Sequence, residues 1–216
     1  MYFPEGNNDR INKLRFSALA SAALMNLLKK QRDAFGLSLF DEEVNLHTEN
    51  RSNNRHYNLM LNHLHNVIFS PKLNNKTFTS KALHEIAEKT HKRSLVIVFS
   101  DFMSSEEDLD SLFSALLHLK YRKHEVILFQ VADRTKEYEF DYQNRPYLFI
   151  DMETDERIKM HGQDIKRLYV EKINAYKNEL INKCLQFNID YIDADINKGF
   201  YPILNSYLIK RNKMMI

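Results

Sequence analysis

Asp101 stands at the exit of the most strand-like run in the sequence, Leu95-Val96-Ile97-Val98-Phe99-Ser100. A capping signal follows at once, Ser104 with Glu107 three residues on. A carboxylate leaving such a strand can hold a hard cation, act as a nucleophile, or simply turn and cap the chain; position alone leaves these open. Thr77 lies just before the preceding helix, so its hydroxyl can come to the same edge. Hydroxyl plus carboxylate is a hard-oxygen pair suited to Mg²⁺ rather than to a soft metal. Two ligands are too few for firm binding, yet Mg²⁺ often keeps several waters, which leaves room for a weak site.

The other chemistry-bearing residues read more plainly. A phosphotransferase built on Asp101 would want a second acid two residues later, but Phe102-Met103 follows. His63 and His65 are two apart and so face different sides of a helix, and with His56 they read as solvated helix-face histidines, not a zinc set. Cys184 falls on an apolar helical stripe and reads as a small core residue. Asp193 and Asp195 follow the last strand and read as turn formers. Four isolated glycines cannot assemble a phosphate-cradling loop.

The elements that must position Asp101 alternate. A helix over residues 11–30, with Asn8 or Asp9 as its cap, precedes a short buried strand at 35–40 and a long polar loop at 41–56. Helices over 57–68 (stopped by Pro71) and from Thr79 or Ser80 lead to the strand at 95–99. The stripe Leu109, Leu112, Phe113, Leu116 and Leu117 marks the next helix, and Val126–Val131 another buried strand. An antiparallel hairpin excursion interrupts the rhythm around 138–160. A long helix (165–184), a strand at Tyr191-Ile192 and a last helix complete the chain. Strands and helices in this order predict a single α/β domain over 1–216, three-layered and doubly wound, with a mostly parallel sheet. Ligands of such sheets sit beyond the carboxyl ends of the strands, where Asp101 is.

Composition bounds the function. Thirty-one basic against 29 acidic side chains leave a formal charge of +2, which excludes a strongly basic nucleic-acid surface. The longest nearly apolar run, residues 18–28, is far short of the ~20 residues that cross a bilayer. One cysteine fits a reducing, cytoplasmic setting.

The run Arg93-Ser94-Leu95-Val96-Ile97-Val98-Phe99-Ser100-Asp101-Phe102 resembles the signature strand of the von Willebrand factor A-like proteins of the domain of unknown function 58 family. Further matches keep order: Lys13, Ala18 and Ala22; Phe35-Gly36-Leu37 with Phe40; Thr77 with Ala82-Leu83; His124-Glu125-Val126, Gln130-Val131 and Asp133; Asp151-Met152-Glu153-Thr154; Ile189-Asp190-Tyr191; Tyr207-Leu208. The resemblance implies a bacterial, Rossmann-like, non-enzymatic protein-interaction module. It would work with a MoxR-type AAA+ ATPase in assembly, activation or quality control of an unknown client protein. It also implies a metal-ion-dependent adhesion-type site made of a D-x-S-x-S segment, a threonine and an aspartate. Thr77 and Asp101 match the last two. No D-x-S-x-S is present, so the resemblance predicts a residual site with Mg²⁺ weak or absent, and a chain lacking its first strand. Such a strand makes on the order of ten ladder hydrogen bonds at ~1 kcal/mol net each, comparable with the ~5–15 kcal/mol stability of a domain. A chain without it is expected to fold poorly alone or to have its sheet completed by another copy or polypeptide. The rival reading is a small α/β hydrolase or phosphotransferase using Asp101.

Overall fold

Helix α1 (Lys13–Lys30) begins at Asn12, whose side chain accepts a hydrogen bond from the Arg15 amide at 2.8 Å. The carbonyls of Met1 and Phe3 take up the amides of Leu14 and Lys13 at 2.8 and 3.1 Å, so three otherwise orphaned donors of the first turn are satisfied. This computed structural model describes residues 1, 3, 11–41, 43–70, 79–102, 109–143, 145–150 and 157–214. The expected caps Asn8 and Asp9 lie outside the described residues; Asn12, with extended backbone and a short amide side chain directly before the helix, is the cap.

The next segment departs from expectation. Residues 35–40 do not join the parallel sheet: β1 (Ser38–Phe40) pairs antiparallel with β2 (Val44–His47), inside what reads in sequence as a loop. The physical reason is local. Thr48 Oγ1 accepts from the Leu37 amide at 2.8 Å, and Ser38 Oγ meets His47 Nδ1 at 2.9 Å, so short-range side-chain bonds fix a hairpin. At Gly36 a Cβ would meet the Thr48 carbonyl oxygen at 2.7 Å, so only glycine lets the two segments approach this closely. Phe35 packs instead with Ala18, Met25, Met60 and Leu64, between α1 and α2 (Asn54–Phe69). His56, read as a solvated helix-face residue, is buried, with Nε2 2.8 Å from the Phe35 carbonyl oxygen.

Helix α3 (Thr79–Lys89) leads to β3 (Leu95–Ser100), α4 (Leu109–Tyr121) follows, and β4 (Glu125–Ala132) ends in a π-helical turn at Arg134–Tyr138 that the sequence pattern did not announce. Pro71, Ser104 and Glu107 lie outside the described residues. The expected excursion is present as β5 (Pro146–Ile150) paired antiparallel with β6 (Arg157–His161). Helix α5 (Gly162–Gln186), β7 (Asp190–Asp195), a 3-10 turn at Ile196–Lys198 and α6 (Tyr201–Met214) complete the order.

The central sheet is parallel, in the order β3-β4-β7, with Leu95 level with Glu125 and Ile127 level with Asp190. Alternation along β4 sends side chains both ways. Ile127, Phe129 and Val131 pack with Phe16, Ala20 and Leu24 of α1 and Ile203 and Tyr207 of α6. Val126 and Leu128 pack with Leu83 of α3, Leu112 and Leu116 of α4, and Leu180 and Cys184 of α5. The fold is therefore α/β with helices on both faces of a parallel sheet. No helix among the described residues is long and apolar enough to cross a membrane.

Candidate functional site

The carboxyl ends of β3 and β4 meet at a polar rim organised around Lys13. This lysine is the first residue of α1, and its side chain is only 4% exposed. Its Nζ donates to Asp101 Oδ2 at 2.9 Å and to Glu137 Oε1 at 2.6 Å, tying the residue after β3 to the π-helical turn after β4. The amino group of Met1 lies 3.0 Å from the same Asp101 oxygen. Burial by itself would push the Asp101 carboxyl up, but attraction to Lys13 and to the Met1 amine outweighs it, and the group is held well below the ordinary carboxylate range. Burial likewise disfavours the charged form of Lys13. Asp101 and Glu137 more than offset that, and its pKa is raised.

A second layer of bonds keeps this arrangement rigid. Glu137 Oε2 accepts from the Asp133 amide at 2.7 Å. Asp133, 2% exposed, accepts on one oxygen from Thr135 Oγ1 at 2.7 Å and from Asn197 Nδ2 at 3.0 Å, which links the end of β4 to the turn after β7. Gln130, wholly buried in β4, donates to the Asp101 carbonyl at 3.2 Å and accepts from Tyr191 on β7. Phe102 adopts φ +51°, its amide 3.0 Å from Ser100 Oγ, and Tyr176 of α5 donates to its carbonyl. The chain leaves β3 in one fixed direction.

These residues do not fit a divalent cation. Mg²⁺ asks for oxygen ligands at ~2.0–2.1 Å in near-octahedral array. The position between Asp101 and Glu137 is filled by an ammonium group, and a second amine sits on the same Asp101 oxygen. Thr77 lies outside the described residues.

Sequence spacing found Asp101 and missed its partners. Lys13 has a helix-face position among many lysines, and no local pattern marks it as buried; Glu137 lies in a turn with no periodic signal. Asp195 takes the turn role expected of it, its side chain accepting from the Asn197 amide at 3.1 Å, whereas Asp193 is inside β7 and pairs with Lys177 of α5. Cys184 is fully buried, and burial pushes its thiol up to about 12. Elsewhere His84 and His118 bring their Nδ1 atoms to 3.1 Å, with Glu88 2.9 Å from His118 Nε2. Among the described residues no group of three or more His, Cys, Asp or Glu is arranged to hold a metal ion.

Neither the curated proteins nor the solved structures contain a match to this chain. A protein family does match. Residues 6–179, which include Lys13, Asp101, Asp133 and Glu137, fit the family described as "Protein of unknown function DUF58", and the chain belongs to that family.

Proposed function

We propose that this protein is a non-enzymatic interaction module of von Willebrand factor A-like build, working with a MoxR-type AAA+ ATPase in the assembly, activation or quality control of a client protein. The observation that carries the interaction reading is the outer edge of β3. The Glu125 amide donates to the Ser94 carbonyl, and in a parallel ladder the groups facing one neighbour alternate. Ser94, Val96, Val98 and Ser100 therefore face β4, and the backbone groups of Leu95, Ile97 and Phe99 point the other way. Among the described residues that outer side has no strand partner. Leu95, Val96, Ile97 and Phe99 are only half-buried, although helices flank both faces of the sheet. An uncharged edge whose outward donors and acceptors have no strand partner among the described residues is suited to receive an extended segment of another polypeptide by strand addition. The pairing of Asp101 with Lys13 supports the same reading, since it gives that carboxylate a partner-holding role at the end of β3.

The test is co-expression of the full chain with the MoxR-type ATPase of the same genome, followed by size-exclusion co-elution. The wild type is expected to co-elute. Ile97→Pro removes one outward amide while leaving the β4 ladder intact, and is expected to weaken the complex. Failure of the wild type to associate would overturn the ATPase partnership. Turnover in a phosphatase or esterase screen that disappears in Asp101→Asn would overturn the non-enzymatic reading.

A further inference from the structure

A lysine at the position of Lys13 is physically expensive. It opens a helix, where the axial dipole disfavours positive charge, and it is almost completely withdrawn from water. The surroundings are built to offset both costs. Asp101 and Glu137 approach the one Nζ from two different elements, at 2.9 and 2.6 Å, and Glu137 is itself held from behind by the Asp133 amide. The Phe3 ring lies 5.9 Å from the ammonium. Charge, burial and spacing make Nζ the hub where the ends of β3 and β4 and the start of α1 meet.

We infer that the Lys13 ammonium is the resident cation of this rim, tethered through its side chain in the place where a divalent ion would otherwise join Asp101 to Glu137. The rim keeps its shape without metal. Among the described residues it also offers no open coordination position through which a partner's carboxylate could bind by way of a metal. Metal and lysine are alternatives: taking the ammonium away leaves two inward-facing carboxylates whose repulsion a divalent cation would relieve. This inference rests on the rim alone and stands apart from the β3 edge and its partner.

The experiment uses the full chain, stripped with a chelator and then titrated with Mn²⁺, following thermal unfolding and the loss of free Mn²⁺ signal by electron paramagnetic resonance. The wild type is expected to show neither a rise in melting temperature nor bound Mn²⁺. Lys13→Ala is expected to melt lower and to regain stability with Mn²⁺, and Asp101→Asn added to Lys13→Ala removes that response. Stabilisation of the wild type by Mn²⁺, lost in Asp101→Asn, would overturn the inference. So would a cooperatively folded Lys13→Ala that binds no Mn²⁺. If Lys13→Ala does not fold, the wild-type and Asp101→Asn titrations decide the matter, because a tethered cation requires both to be silent.

Discussion

Strands β3 and β7 flank the same central strand, run parallel to it and have the same length, yet their edges are made oppositely. β7 reads Asp-Tyr-Ile-Asp-Ala-Asp: Asp193 is joined to Lys177 of α5, and Asp195 caps the 3-10 turn. Charge along an edge strand hinders pairing with another chain. β3 reads Leu-Val-Ile-Val-Phe-Ser, with no charge, proline or glycine, and its first charged neighbour, Asp101, is folded inward onto Lys13. One edge of the sheet is guarded, while the other is left suited to pairing and anchored at its end by a buried ion pair. The difference is between an edge whose charges hinder pairing and an edge that carries no such charge.

The anchoring predicts the largest effect. Lys13→Met leaves Asp101 and Glu137 buried without their shared cation, and breaking a buried pair in this way costs ~3–5 kcal/mol. A loss of that size lowers the melting temperature by ~6–20 °C for a chain of this length. At the guarded edge Asp193→Asn breaks a pair whose members are 18% and 30% exposed, and such pairs are worth ~0–1 kcal/mol. Paired thermal or urea melts test the contrast, and equal losses would erase it.

Acid sharpens the same contrast. The Asp101 carboxyl is depressed in the folded state, so its stabilisation is fully present above its unfolded value of ~3.9 and is lost as pH falls below that. The stability gap between wild type and Asp101→Asn is therefore expected to hold from pH 7 to about 4 and then to close by up to ~1.4 kcal/mol per pH unit. Urea melts on either side of pH 4 measure it. A gap independent of pH would mean that Asp101 contributes by shape rather than by charge.

How much of this was legible follows from the range of the forces involved. The β3 and β4 runs, the α4 stripe and the 138–160 excursion are written locally, in β-branched runs and in periodicity, and each is present as an element. Cys184 lies on its stripe and is buried. Residues 35–40 pair in the hairpin β1–β2 instead of the parallel sheet because a short, largely apolar run does not fix its own partner, and Thr48 and Ser38 decide the pairing by hydrogen bonds that a pattern does not display. At the rim, Asp101 was visible because it ends a strand. Lys13 and Glu137 were not, because their pairing joins positions 88 and 124 residues apart in the chain, and only the fold brings a surface-type residue into the interior.

The open edge predicts a smaller, concentration-dependent effect. The chain alone is expected to self-associate weakly through β3, and Ile97→Pro, which deletes one outward donor, is expected to raise the dissociation constant about tenfold, equivalent to ~1.4 kcal/mol or one to two net hydrogen bonds. Replacing Asp193 and Asp195 together with Asn should instead strengthen association by uncovering the second edge. Sedimentation velocity across a concentration series reads both. Association unchanged by either substitution would mean that neither edge takes part.

The smallest effect concerns how each edge opens. Cys184 is on the buried face of α5, packed toward the sheet, and burial pushes its thiol up to about 12, so little of it is thiolate in the folded protein. Native-state labelling with a disulfide reagent should therefore be slow and gated by lifting of α5. Asp193→Asn releases the Lys177 tie between α5 and β7 and is expected to speed labelling ~2–5-fold, corresponding to a loss of ~0.5–1 kcal/mol locally. Lys13→Met costs far more global stability but loosens the β3 end, so under native conditions it should accelerate labelling less than Asp193→Asn does. That inversion, the milder variant opening faster, is what two separately fastened edges require. Labelling rates that simply follow global stability would show the sheet to open as one unit.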